Sequence, residues 1–313
     1  INKALYSEKS GYYSNKNPLG KAGDFITAPK ISPIFSEIII IWMISFWIKI
    51  GKPKKFSIVE LGPGDGTFSK MLLKVSKKFP SFKESLNLYL FEKSKKLIKV
   101  QKKNIKDKGV LWIKNFNEIN SYPVLFFGNE FFDAIPIKQF KKEDNIIYER
   151  YLSFDKNKFK NFIYKKISKS THNTLKKFNL HKTNGIIEYP KEGFKILEKI
   201  SKKIKKNSGG ILLIDYGYLN SNFTDTLQSV KAHKKNKIFH NIGKADITYL
   251  VNFKLLKKFF KNNNLLASNI VDQSFFLKKL GIVERANILS KKMNFKEKSD
   301  LYYRVDRLLN EKK

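Results

Sequence analysis

The 313-residue sequence predicts an α/β fold built on a doubly wound, mostly parallel sheet. Three observations carry that expectation. Short apolar runs recur along the chain, helical patterns fall between them, and a glycine-rich turn follows the first run in FSIVELGPGDGTFSK, Phe56 to Lys70. Strands buried on both faces of a parallel sheet read as continuous apolar runs rather than as alternating ones.

The runs are Phe56–Leu61, Leu86–Glu92, Leu111–Lys114, Val124–Gly128 and Gly210–Tyr216. Helical patterns occupy Ser69–Lys78, Ser94–Ile105 and Phe194–Lys206. Two regions depart from this rhythm. From Ile137 to about Ile167 the chain carries alternating, aromatic-rich segments, QFKKEDNIIYERYLSF and KFKNFIYKKI, with a turn-like Asp155-Lys156-Asn157 between them. They predict antiparallel hairpins inserted after the fourth strand. Ahead of the first strand, the leading residues hold an amphipathic helix over Ile38–Ile50 and predict a cap. A helical pair, Phe275–Met293 and Lys298–Leu309, ends the sequence. The domain organisation read from this is a cap over 1–50, a core over 51–136 and 185–313, and an insertion over 137–184. No internal repeat is present.

Composition narrows the function classes. There is no cysteine, which excludes disulfides and thiolate metal sites. Four scattered histidines, His172, His181, His233 and His240, argue against a histidine metal site, so no metal is expected. The longest apolar run, Ile38–Ile48, is too short to cross a bilayer, and no transmembrane segment is expected. The first residue is Ile1, and a start or targeting segment is expected to precede it. A net charge of +36 points toward nucleic acid, but only four of the 63 basic residues are arginine: Arg150, Arg285, Arg304 and Arg307. Base and phosphate recognition draws on arginine's planar fork. With Lys, Ile, Asn, Phe and Tyr all abundant, the lysines read as a solvated surface with AT-rich codon usage behind it, and no specific nucleic acid is expected.

The turn Gly62-Pro63-Gly64-Asp65-Gly66 admits three readings. A phosphate-cradling GxxxxGK[ST] loop is absent. A dinucleotide GxGxxG needs glycine where Thr67 stands. The third reading is the first motif of S-adenosylmethionine-dependent methyltransferases, an acidic residue followed by GxGxG. Glu60 favours it: a carboxylate two residues before the first glycine repels a pyrophosphate but suits a cofactor bearing a cationic ammonium and sulfonium. The second run ends at Glu92, where a carboxylate can accept both ribose hydroxyls. The alternative is a tight strand–helix turn with two surface glutamates. At the fourth strand, VLFFGNEFFDAIPIKQF places Asn129, Glu130 and Asp133 at a carboxyl-end tip, where open parallel sheets bind ligands. Asn129 can accept from a substrate N–H, while Glu130 and Asp133 can hold a cationic nitrogen. The plainer alternative has Asp133 capping a helix and Glu130 in solvent.

Five blocks give the sequence a recognisable likeness: ALYSEKSGYYS (Ala4–Ser14), GDFITAPKISPIFSE (Gly23–Glu37), ELGPGDGT (Glu60–Thr67), GNEFFDAIPIKQF (Gly128–Phe140), and DYGY with DTLQSVKAHKKN and GKADITYLVNF (Asp215–Phe253). In this order they resemble the MidA family of Rossmann-type methyltransferases, relatives of a mitochondrial assembly factor for respiratory complex I. The resemblance implies a Rossmann-like methyltransferase core with an N-terminal helical cap and a β-rich insertion after the fourth strand. It implies S-adenosyl-L-methionine as cofactor and a protein arginine as acceptor, in a complex I-type subunit. It also implies a cytoplasmic setting in a bacterium, or the mitochondrial matrix in a eukaryote. Carried onto this chain, the cofactor site is Gly23, Asp24, Phe25, Thr27, Glu60, Gly62, Gly64, Gly66 and Glu92, and the reacting nitrogen faces Asn129, Glu130 and Asp133. Lys30, Pro33 and Ser36 stand where the family pattern has an acid, a glutamine and a glycine. His233 and Lys234 either contact the substrate or decorate a loop; Asp215 either lines the pocket or caps the turn after it. The alternatives are an assembly chaperone that keeps the fold without chemistry, and a nucleic-acid methyltransferase, against which the missing N-PP-[YF] motif at the fourth strand argues. The helix at Ile38–Ile50 and the aromatic insertion are candidate faces for a homodimer.

Overall fold

A computed structural model describes all residues except 8, 10, 16–26, 121, 156–157, 220–223, 232–233 and 311–313. In chain order its first strands are β1 (Phe56–Leu61), β2 (Leu86–Phe91), β3 (Leu111–Ile113), β4 (Val124–Asn129), β5 (Lys138–Glu143), β6 (Ile146–Asp155), β7 (Lys158–Lys166) and β8 (Ile186–Tyr189). The remainder are β9 (Gly209–Ile214), β10 (Gly217–Tyr218), β11 (Gln228–Lys231), β12 (Lys234–Asn236), β13 (Asp246–Thr248) and β14 (Val251–Asn252). Contacts divide the chain into two compact units. The insertion unit comprises 1–16, 132–201 and 215–268; the sheet unit comprises 17–131, 202–214 and 269–313. These units differ from the domains read from the sequence: 185–201 and 215–268 group with the inserted strands, and the expected cap is divided, with 1–16 in the insertion unit and 17–50 in the sheet unit.

The sheet unit holds a five-stranded parallel sheet in the order β3-β2-β1-β4-β9. Every residue of β1 is buried, as is Val124–Gly128 of β4, matching their apolar runs. Strand order reverses between β1 and β4, so the crevice beyond their carboxyl ends is the topological switch point where open α/β sheets bind ligands. One tight junction sets the register at the sheet's edge strand. Gly209 begins β9 at φ 131°, and a Cβ at that position would lie 1.9 Å from the Val124 carbonyl oxygen.

The helix expected over Ile38–Ile50 runs over Pro33–Lys49. Pro33 opens it, and Ser32 caps it by accepting from the Ile34 N–H at 3.3 Å. It is buried nearly all round rather than amphipathic: Phe35, Ile39, Ile40 and Met43 are fully enclosed, while Ile41 and Ile48 are the exposed apolar positions. Each enclosed side chain contributes about 1.5–3 kcal/mol of burial. This helix shares a core with Phe56, Phe82, Leu277, Ile282 and Val305. The helix expected over Phe275–Met293 is broken into Gln273–Lys279 and Ile282–Ser290, because Gly281 between them adopts φ 84°.

The insertion unit contains the antiparallel sheet β7-β6-β5-β8, as the alternating pattern predicted, and a smaller one in the order β12-β11-β13. The Asp155–Asn157 turn falls largely outside the described residues. Phe140, Ile187, Phe194 and Phe259 form this unit's core, with the Phe194 and Phe259 rings stacked at 4.6 Å. A polar network pins the 225–226 segment to the sheet. Gln139 Nε2 donates to Glu188 and Asp225, each at 2.8 Å, and the Arg150 guanidinium reaches Asp225 at 2.6 Å while lying 4.2 Å over the Phe162 ring.

Candidate functional site

Beyond β1 the chain turns through Gly62, Gly64 and Gly66 at φ 62°, 57° and 83°. L side chains are strained in this left-handed region, so the glycine spacing is a backbone requirement. The turn is also packed from below: a Cβ on Gly62 would meet the Phe131 ring at 2.9 Å, and one on Gly66 would meet Ile105 at 2.8 Å. The Gly62 N–H donates to the Phe91 carbonyl at 3.1 Å, tying the turn to the end of β2. Asp65 accepts from the Thr67 N–H and hydroxyl at 3.2 and 2.7 Å, starting the helix Thr67–Ser76.

The two glutamates of the expected cofactor set are not surface residues. Glu60 is 5% exposed beneath the turn, where the Ser69 hydroxyl donates to its carboxylate. Burial raises its carboxyl to about 7; the Ser69 bond opposes that rise, and the negative charges of Asp65 and Glu92 add to it. Glu92 is also buried, and burial raises it too. Its Oε1 accepts from the Ser94 N–H at 2.8 Å and its Oε2 from Gln101 Nε2 at 3.2 Å.

Gln101 is the residue that sequence reasoning missed. It is fully buried, and its Nε2 also donates to the Gly64 carbonyl at 2.7 Å while its Oε1 accepts from Trp112 Nε1 at 2.9 Å. One side chain thus joins the glycine turn, the β2 carboxylate and β3. The only local signal was a glutamine among the lysines of KKLIKVQKKN.

At the tip of β4, Asn129 and Glu130 are brought together: Asn129 Nδ2 donates to Glu130 Oε1 at 3.1 Å. Glu130 adopts φ 51°, strained for a non-glycine residue, and its N–H donates to the Ile214 carbonyl at 2.8 Å. Its carboxylate does not point to solvent. It accepts from the Ala28 N–H at 3.3 Å, and burial raises its carboxyl. Asn129 Oδ1 is buried without a hydrogen-bond partner. An orphaned acceptor of this kind awaits a donor that the described residues do not supply.

Residues 27–31 approach the same turn. Thr27 precedes the short helix Ala28–Ile31, and Lys30 pairs with Asp65 at 2.7 Å. The lysine that departs from the family pattern is therefore matched by an acid in the turn. Gly23, Asp24, Phe25 and His233 lie outside the described residues. Lys234 is exposed on β12. Asp133 belongs to the insertion unit, where Asp215 Oδ2 accepts from the N–H groups of Phe132 and Asp133 at 2.8 and 3.2 Å. Asp215 therefore clamps the backbone after β4.

Residues 38–271 match the family described as "Putative S-adenosyl-L-methionine-dependent methyltransferase". The chain belongs to this methyltransferase family. It is 27% identical to the protein arginine methyltransferase NDUFAF7, mitochondrial, of Danio rerio, over 100% of this chain and 79% of that one. The Xenopus tropicalis protein of that name is 30% identical, over 93% and 73%. The Homo sapiens protein is 28% identical, over 100% and 76%. A crystal structure from Burkholderia thailandensis, bound to S-adenosyl-homocysteine, superposes with a TM-score of 0.80 at 19% identity, covering 99% of this chain and 82% of that one. The methyltransferase thus uses S-adenosyl-L-methionine, and the expected family, fold and cofactor are borne out. The residues present fit that cofactor: a phosphate-free ligand suits a crevice edged by carboxylates, and Asn129 Oδ1 offers an unfilled acceptor. Among the described residues, no helix is long and apolar enough to cross a membrane, and no cluster of candidate metal ligands is present.

Proposed function

We propose that this methyltransferase transfers a methyl group to an arginine side chain of a protein partner, a subunit of a complex I-type assembly. The observation that carries the reading is the similarity, over essentially the whole chain, to mitochondrial relatives named protein arginine methyltransferases. The bound cofactor supplies an electrophilic methyl group. Glu92, oriented by Ser94 and Gln101, would hold the ribose hydroxyls, and the glycine turn would let the backbone pass close to the ligand. Asn129 Oδ1 accepts an N–H at the carboxyl end of β4. Glu130, on the same tip, places a desolvated carboxylate where a guanidinium charge can be localised away from the attacked nitrogen. Positioning and charge stabilisation are the chain's contributions, because an arginine nucleophile needs to lose only one proton.

The test is incubation of the purified protein with methyl-labelled S-adenosylmethionine and isolated complex I subunits, followed by mass spectrometry of the labelled peptides. Label on arginine is expected. Label on lysine alone, or on added RNA, overturns the acceptor assignment.

A further inference from the structure

The last two helices of the sheet unit, Ile282–Ser290 and Phe295–Leu309, are joined by a short turn that leaves a phenylalanine in water. Phe295 is 89% exposed, and Ile288, in the last turn of the preceding helix, is 59% exposed. Among the described residues of this unit, these are the two most exposed large apolar side chains. The turn that carries them is tightly bonded. The Met293 N–H donates to the Ser290 carbonyl at 3.1 Å. Asn294 caps the second helix by accepting from the Glu297 N–H at 3.0 Å, and Glu297 in return accepts from the Asn294 N–H at 2.9 Å. Further along, the Tyr302 hydroxyl donates to Asn287 Oδ1 at 2.9 Å and lies 3.1 Å from the Ser290 hydroxyl. Phe295 thus begins a helix fixed at its cap and along its flank, and the backbone itself holds the ring outward.

Charge supplies the second, independent observation. From Ile288 to Ser299 the chain carries four lysines and one acid. Lys291, Lys292 and Lys296 are exposed, Lys298 is half-buried, and the acid is Glu297, whose carboxylate is already engaged at the cap. An apolar tip set among lysines discriminates between partners. Protein interfaces enrich aromatic residues but deplete lysine. Single-stranded nucleic acid needs a groove with several rings to stack on, and Ile288 has no face for stacking. An anionic bilayer meets both features: its interface takes up the ring, and its headgroups attract the ammonium groups while the lysine stems lie along the apolar boundary.

We propose that the turn bearing Ile288, Lys291, Lys292, Phe295 and Lys296 is a docking tip for an anionic lipid surface, with the Phe295 ring entering to headgroup depth. The methyltransferase is then a peripheral protein whose sheet unit meets the bilayer by this turn. The inference is independent of which acceptor receives the methyl group.

A net charge of +36 draws the whole protein to any anionic vesicle, so the experiment must read position as well as binding. The chain has no cysteine, and Phe295→Cys and Leu111→Cys in the full chain each accept a single acrylodan label. Leu111 is the control, an exposed residue on the edge strand β3. Each labelled protein is mixed with vesicles of phosphatidylcholine, or of phosphatidylcholine and phosphatidylglycerol in equal parts, at physiological salt. The expected result is a blue shift of the label at 295 with the mixed vesicles alone, and none at 111. In co-sedimentation of unlabelled protein, Phe295→Ser should bind the mixed vesicles about tenfold more weakly than wild type. That substitution keeps the net charge and removes a side chain already in water, so the loss reports the ring. Equal shifts at both positions would mean adsorption by charge alone and overturn the tip. Equal binding by Phe295→Ser and wild type, or no shift with either vesicle, overturns it too. A shift at 295 on adding single-stranded RNA, with none on vesicles, reassigns the turn to nucleic acid.

Discussion

Gln101 holds Gly64 and Glu92 on one amide: its Nε2 lies 2.7 Å from the Gly64 carbonyl oxygen and 3.2 Å from Glu92 Oε2. The side chain behind the glycine turn therefore fixes both the turn and the carboxylate at the tip of β2. Gln101→Met keeps volume but removes all three polar contacts. It should weaken S-adenosyl-homocysteine binding at least tenfold, about 1.4 kcal/mol, in a calorimetric titration. Leaving Trp112 Nε1 and the Gly64 carbonyl unpartnered should also cost about 1–3 kcal/mol in denaturant unfolding. Unchanged affinity would show that the turn keeps its shape without Gln101.

Glu60 predicts a pH dependence. Its carboxyl is raised from an ordinary 4.5 to about 7 in the folded protein, chiefly by burial. Below pH 4.5 the group is protonated in both states and adds nothing to the slope. Between 4.5 and 7 the unfolded chain ionises first, so the folded state binds more protons and stability falls as pH rises. Above 7 the loss is complete, on the order of 3 kcal/mol. Glu60→Gln retains an acceptor for Ser69 and removes this dependence. Stability of the two proteins, measured from pH 4 to 8, should converge at the acid end and favour the variant at the other. Parallel profiles across that range would contradict the assignment.

Glu130→Gln separates chemistry from architecture. The amide oxygen can still accept from the Ala28 N–H, so the link to the cap survives. Methyl transfer should fall at least 100-fold, while S-adenosyl-homocysteine affinity changes less than about threefold and the thermal midpoint does not drop. Full activity in this variant would remove Glu130 from the reaction.

Gly209→Ala tests the sheet junction. At φ 131° with a Cβ 1.9 Å from the Val124 oxygen, alanine must displace backbone at the start of β9. A loss of about 3 kcal/mol or more is expected, read as a lowered denaturation midpoint or as insoluble expression. A stable variant would mean that β9 can re-register against β4.

The parts of the fold legible in the sequence were those set by local pattern. β1, β2 and β4 followed their apolar runs to within a residue or two, and positive φ at Gly62, Gly64 and Gly66 agreed with the glycine spacing. The inserted hairpins followed their alternation. Contacts between distant residues left no such trace. Gln101 meets Gly64 across 37 positions, and Tyr13 meets Asp246 across 233. Nothing in a window of ten residues marks either partner. The burial of Glu60 was also hidden, since its role depends on Ser69 one helical turn into the next element. Gly281 could have been read as a helix break; the apolar periodicity on both sides concealed it.

The two compact units are assembled from six alternating stretches of one chain, with boundaries at 16/17, 131/132, 201/202, 214/215 and 268/269. A single cut anywhere between the first and last of these boundaries leaves at least one unit without part of its own chain. Inheritance follows from that threading. Neither unit can be duplicated, lost or exchanged as one uninterrupted stretch of coding sequence.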